Sequence, residues 1–397
     1  MKKLLIASAA LAMVAGTAQA QSSVTLYGSI DTGYSSVESN VKTIATGASV
    51  KTTQAGIANS NDVSSRWGIR GSEDLGGGMK ANFNVETSIG TGTNAASGGT
   101  FSPATAQNSN TTAAGAWTNT QEIGNRAMWA GISTAGGLEV RGGLQNQFIR
   151  DIALAYNSNG TTNVVGDLLA GNSAVFAGRH NAFTVTQTMG AVKVGAAVTG
   201  KTTETTGSPD IDAGKGYELM ANYSAGNFAL GGAYRKVDTS VAAIAYAAPT
   251  TGNGTSTVST LGTLAAAATD TETETTVIGA SYNFGIVKAF AAYGTQDTVE
   301  SIGNVKTERE VTTVGVNGNV TPATQLFATY STGETKSAAT ASARDTDGFV
   351  LGARYSLSKR TTAYAVYGEA DIDTGAAATA TTNTKVKQYA VGINHAF

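Results

Sequence analysis

The chain has 397 residues, a formal net charge of −2, no cysteine, and 49 glycines against only 4 prolines; charged residues make up 14% of it and aromatics 7%. That composition excludes disulfides, thiolate metal sites and thiol nucleophiles. It provides no excess of base for a nucleic-acid partner, and it differs from the composition of an ordinary soluble enzyme.

Residues 1–20 carry the three parts of a secretory signal peptide in order. Lys2 and Lys3 form the charged start, Leu4 to Val14 the apolar run, and Ala18-Gln19-Ala20 the small-x-small cleavage pattern. Cleavage after Ala20 leaves residues 21–397 as a single domain and, by removing the two lysines, takes the net charge from −2 to −4. No later stretch approaches the ~18 to 20 apolar residues of a spanning helix, so a membrane location requires a barrel of strands.

From Ser23 onward apolar and polar or small residues alternate in segments of about ten, the period of a strand with two different faces. Trp67, Ile69 and Gly71 oppose Arg66, Gly68 and Arg70; Ala81, Phe83 and Val85 oppose Lys80, Asn82, Asn84 and Glu86. In Thr361–Glu369 the contrast is blurred, with Ala363, Ala365 and Tyr367 opposite Tyr364, Val366 and Gly368.

The connections alternate between two kinds. Short ones lie at 73–78, 134–137, 189–191, 225–227, 283–285, 319–324 and 358–360. Long ones, rich in Ala, Thr, Gly and Ser, lie at Val37–Asp62, Ile89–Gln121, Phe148–Gly178, Val237–Asp270 and Thr335–Arg344. Short turns on one rim and long loops on the other describe an all-β, transmembrane antiparallel barrel with periplasmic turns and extracellular loops. Counting from a first strand near Val24–Tyr34 to a last at Lys385–Phe397 predicts about sixteen strands. The last strand ends on Phe397, which we read as an assembly signal for the barrel-assembly machinery or as a belt aromatic at the membrane rim. Tyr27, Trp67, Trp129, Tyr223, Tyr234, Tyr282, Tyr355 and Tyr389 are expected near strand ends as girdle residues, some of them facing the lumen.

Several segments together resemble the general porins of betaproteobacteria, the neisserial-type family. They are Ser23–Gly28, the long run Ser65–Ala81 (SRWGIRGSEDLGGGMKA), Tyr355–Thr361 and the closing Gly392–Phe397, with Asn125-Arg126 and Arg179–Phe183 in support. The resemblance implies a sixteen-stranded homotrimer whose third loop folds into the lumen opposite wall arginines. The chain departs from the family pattern at Arg141–Gln147, where the third loop begins. By motif matching, the wall residues are Arg66, Arg126 and Arg179, with Arg70 and Arg141 nearby; the third loop contributes Arg150, Asp151 and Asp167. Alternation turns Arg66, Arg70, Arg126 and Arg141 inward, Arg126 by standing opposite Ala127 and Trp129. It puts Arg179 with Phe183 and Val185 on the lipid side, where an arginine at the midplane would cost ~2 to 4 kcal/mol. Arg179 is therefore expected at the strand's start or beside a bulge.

A diffusion pore needs a constriction and no catalytic pair. The expected function is passive diffusion of small hydrophilic solutes and ions across the outer membrane, with anion preference from the clustered guanidinium groups. No cofactor is expected, and lipids and lipopolysaccharide are the surrounding partners. His180 and His395 lack metal-ligand spacing, and Gly76-Gly77-Gly78 lacks the Lys-Ser/Thr of a phosphate loop, which argues against an enzyme. A non-conducting adhesin or structural barrel working through its long loops is the competing reading.

Overall fold

The structure, a computed structural model, describes residues 22–89, 123–160, 163–169, 176, 178–200, 202–203, 211–212, 214–241, 269–301, 305–338, 342–376 and 379–397. The expected signal peptide, nearly all of the Ile89–Gln121 connection and the middle of Val237–Asp270 lie outside the described residues.

The strands in chain order are β1 (Ser23–Thr43), β2 (Ser49–Asn59), β3 (Arg66–Gly76), β4 (Met79–Ser88), β5 (Ala127–Thr134) and β6 (Leu138–Asn146). After helix α1 (Phe148–Ala155) come β7 (Arg179–Met189), β8 (Val192–Thr199), the short ribbon β9 (Thr202–Thr203) and β10 (Ile211–Asp212), β11 (Lys215–Ala225) and β12 (Phe228–Val241). The series ends with β13 (Thr269–Asn283), β14 (Val287–Glu300), β15 (Val305–Thr321), β16 (Thr324–Ser337), β17 (Ser342–Ser356), β18 (Thr361–Ala376) and β19 (Thr379–Ala396). Each wall strand pairs antiparallel with its neighbours, and β1 pairs with β19, so the sheet closes into a barrel of 16 strands. The seam is sealed by reciprocal backbone bonds, Gly28 N to Phe397 O at 3.0 Å and Phe397 N to Gly28 O at 3.1 Å.

β2 adds no stave to this circle. β1 pairs with β3 along Ser23–Ser29 and with β2 along Thr32–Lys42, so β2 continues the line of β3 toward the loop end. The expected loop Val37–Asp62 is therefore largely a hairpin, and most of Thr335–Arg344 is also strand. Composition misled there because the Thr, Val and Ala that look loop-like also fit a pleated ribbon in water. All the short turns stand where the sequence puts them.

The wall is low on one side and tall on the other. β3 to β8 have 8 to 11 residues, whereas β12 to β19 have 14 to 18. Outward positions are apolar, as at Leu26, Phe83, Met128, Phe183, Leu230, Leu351 and Val391, all exposed to what lies outside the barrel.

The barrel's buried core lies between the third loop and the inner wall. Phe148, Ile149, Ile152, Ala153 and Tyr156 of α1 and its end pack with Leu169 and Phe176 against Ala182, Ala197, Ala233, Val277 and Ala292. Further along the loop, Val164 joins Phe327, Val350, Tyr364, Val366 and Ala390. This explains the blurred alternation in β18: its inner residues Tyr364 and Val366 pack with Val164 of the loop. Two glycines set the closeness of approach. A Cβ on Gly279 would stand 2.5 Å from Tyr156 Cβ, and one on Gly368 would collide with the Val165 carbonyl.

Candidate functional site

With the third loop against the tall wall, open space remains beside the low wall, and the arginines converge there. Glu86 of β4 is the centre. Arg126 Nε lies 2.6 Å from its Oε1, Arg66 Nε 3.5 Å from its Oε2, and Tyr27 donates to Oε2 at 3.0 Å. Arg150 of α1 and Arg179 of β7 complete the group; the charges acting on Arg179 are those of Arg126, Arg150, Glu86 and Arg66. Burial, and then the charge of Arg126, hold the Arg150 guanidinium below the usual arginine range, with Asp151 and Glu86 opposing.

Each arginine arrives by a different local route. Arg66 is the first residue of β3 and faces inward by alternation. Arg126 does not: Trp129 is itself a lumen residue, lying under the Arg141 guanidinium at 4.1 Å, so parity would send Arg126 outward. Arg126 precedes β5, and its N–H bonds the Glu86 carbonyl at 3.0 Å, which frees the side chain from the pleat. Arg179 opens β7 with the outward parity of Phe183, and no bulge interrupts the β6–β7 pairing. At the strand's first residue its side chain turns in toward the cluster.

Nearer the turn end, about 13 Å along β3 from Arg66, Arg70 lies over the Tyr27 ring at 5.0 Å, and Arg141 is bonded through Nη2 to both oxygens of Glu139 at 2.8 Å. Tyr27 and Trp129 are thus lumen aromatics that orient arginines, whereas Tyr223, Tyr282, Tyr355 and Tyr389 are outward and exposed. A recess of about 230 Å³ between α1 and the β4–β8 wall is lined by Glu86, Arg126, Trp129, Arg141, Asp151 and Lys193, among others.

The two loop acids part company. Asp151 is exposed in the lumen, accepts from Asn146 Nδ2 at 2.9 Å, and feels Lys193, Arg150 and Arg141. Asp167 bonds within the loop. It accepts from Asn157 Nδ2 at 2.8 Å and Asn159 Nδ2 at 2.9 Å, and from Leu169 N at 3.1 Å, so it fixes the fold of the loop itself.

Sequence reading missed both anchors of that loop. At its root, buried Glu218 of β11 accepts from Phe148 N at 2.6 Å, the first amide of α1, and lies 3.0 Å from Arg235 Nε and 3.2 Å from His180 Nδ1. At its far end Arg354 of β17 holds Asp62 at 2.7 and 2.8 Å and donates to the Asn159 carbonyl at 2.7 Å. The signal available was a charged residue at an inward position of a wall strand.

Comparison with known proteins follows the same lines. A sequence family described as Gram-negative porin matches residues 7–375. An outer membrane porin protein of Bordetella pertussis is 46% identical over 97 residues, covering 23% of this chain and 25% of the relative. Outer membrane porin protein 32 of Delftia acidovorans is 48% identical over 89 residues, covering 22% and 23%. The chain thus aligns with about a quarter of each curated relative's length. Among solved structures, an anion-selective porin from Comamonas acidovorans superposes with a TM-score of 0.62 at 23% identity, covering 95% of this chain and 100% of that one. The trimer form of OmpT from Vibrio cholerae gives 0.61 at 13% identity, covering 95% and 99%.

Proposed function

The chain belongs to the Gram-negative porin family of the outer membrane, and from that premise we propose that it forms a water-filled channel for passive diffusion of small hydrophilic solutes, with preference for anions. One observation carries the reading: Arg66, Arg126, Arg150 and Arg179 gather around the carboxylate of Glu86, with Asp151 beside Arg150, while the third loop packs against the opposite wall of the lumen. Such a constriction concentrates anions by its field and repels cations. Arg70, Arg141 and Lys193, against Glu139 and Asp151, extend the positive excess toward the turn end and make a path rather than a single site. Asp167 acts through the loop's shape.

The working unit is a homotrimer meeting along the low wall. Apart from Arg179, whose side chain turns in, outward positions of β4 to β8, among them Phe83, Val85, Met128, Ile132 and Val194, carry no charge, while charged pairs stand outward on the loop ends of the tall strands. Export through a cleaved segment at residues 1–20 and delivery to the barrel-assembly machinery by Phe397 complete the reading; the seam bonds of Phe397 support the latter, because the last strand must be presented before the barrel can close. Planar-bilayer recording tests the channel. Discrete conductance steps are expected from purified folded protein, and a folded protein that never conducts would leave the adhesin or structural-barrel reading in its place.

A further inference from the structure

The pleat of the tall wall sorts its charges by face. In β15 to β19 every acid and every lysine has outward parity, Glu369, Asp371, Lys385 and Lys387 among them, whereas Arg309, Arg344 and Arg354 have inward parity. Arg354 is held by Asp62. Arg309 and Arg344 stand two strands apart with Thr335 between them in register, ~10 Å across, and the charge acting on Arg309 is that of Arg344. Among the described residues neither of the two is held in an ion pair.

On the same inward face lies a recess of about 490 Å³. Val37 and Val41 of β1, Ile372 of β18 and Val386 of β19 give it an apolar lining, and Arg344 of β17 stands at its edge. Register fixes its height in the channel. Gln388 accepts from Val165 N of the third loop at 3.1 Å, and Val386 lies two residues further toward the loop end, ~7 Å above that contact. Arg66 is level with Ser29 of β1, eight residues below Val37, so ~27 Å of strand separate the recess from the arginine cluster around Glu86. The recess therefore opens into the loop-end mouth of the lumen, beyond the third loop.

We propose that this recess binds a monocarboxylate with a compact apolar body, such as an aryl group, whose carboxylate is held by the Arg344 guanidinium. Three features favour it. An apolar patch on the wet face departs from the polar interior of a water-filled barrel, and a bound apolar body would remove Val41, 40% exposed, from water. A guanidinium at the edge of the patch can donate two parallel hydrogen bonds to a carboxylate, and Arg309 adds its attraction while no acid of β15 to β19 shares the face. The volume lies within the ~300 to 1,000 Å³ of small-ligand sites. The proposal rests on the outer-membrane placement above, which makes the loop end the outer mouth, and does not depend on conduction.

Calorimetric titration of the folded protein in lipid nanodiscs tests it, with phenylacetate, acetate and benzyl alcohol as probes and empty discs as the blank. Phenylacetate should bind saturably, while acetate, which lacks the body, and benzyl alcohol, which lacks the charge, should not bind at the same concentrations. Arg344→Gln should weaken binding by about tenfold, the worth of a hydrogen bond to a charged group. Val386→Thr, which keeps the shape of the side chain and replaces a methyl by a hydroxyl, should weaken it by about fourfold. Lys387→Gln, one residue away on the outward face, should bind as the wild type does. No binding of phenylacetate, equal binding of acetate, wild-type binding by Arg344→Gln or loss in Lys387→Gln would overturn the proposal. A loss that follows Arg66→Gln and spares Arg344→Gln would overturn it too, by putting the anion in the constriction. Binding that depends on Arg344 in a protein that gives no channels would uphold this site and defeat the pore reading.

Discussion

Arg126 Nε lies 2.6 Å from Glu86 Oε1, and this contact joins a residue outside the strand pleat to one inside it. Glu86 is the acid in contact with two of the four guanidinium groups, Arg66 and Arg126, and Asp151 acts on Arg150, so Glu86 sets much of how strongly the lumen feels their charge.

Glu86→Gln should increase anion preference and Arg126→Gln should reduce it. The permeability ratio from bi-ionic reversal potentials should move by about two- to fivefold in each case, as for one charge in a focused field. Movement in the same direction in both variants would contradict the assignment.

Selectivity should fall with salt. The Debye length shrinks from ~10 Å at 0.1 M to ~3 Å at 1 M, which is short against the separation of the two arginine tiers. Permeability ratios measured at equal gradients but rising mean concentration should approach unity; a ratio independent of concentration would assign selectivity to pore width instead.

Gly279→Val and Gly368→Ala should push the third loop off the wall. Each added side chain enters space held by Tyr156 or by the Val165 backbone, and overpacking of this kind costs ~1 to 3 kcal/mol. The readout is a lower unfolding midpoint together with altered single-channel conductance. Unchanged values for both would mean that the loop is not packed as described.

Asp62→Asn should loosen the far end of the loop. The Asp62 side chain is 1% exposed and is bound twice by Arg354, which also holds the Asn159 carbonyl. Breaking a buried pair of this type costs ~3 to 5 kcal/mol when the partner charge is left uncompensated. Open-channel current noise should rise, while the Glu86 cluster and the sign of selectivity stay as they are.

The barrel was legible because its two rules are local: alternation at Trp67–Ile69 or Phe83–Val85 needs only neighbours in sequence, and turns such as Gly76-Gly77-Gly78 declare themselves by composition. Arg66 was readable for the same reason. Arg126 and Arg179 were not readable by parity, since both sit where a strand begins and the pleat does not yet constrain the side chain. Asp167 was assigned to the wall arginines from its charge, but its bonds to Asn157 and Asn159 depend on how the loop folds upon itself. Glu218 with Arg235 and His180, and Arg354 with Asp62, join residues far apart in sequence, and nothing in a single strand announces such a partner. Tyr364 and Val366 seemed to blur the pattern because an inward position was assumed to meet water; there it meets the third loop.

The most direct test of the account is the zero-current potential of the wild-type channel across a KCl gradient at low mean salt. A potential of the sign set by chloride, abolished or reversed when Arg66, Arg126 and Arg179 are replaced by glutamine together, is the predicted result. A potential set by potassium in the wild-type protein would contradict the claim that the arginine cluster governs what passes.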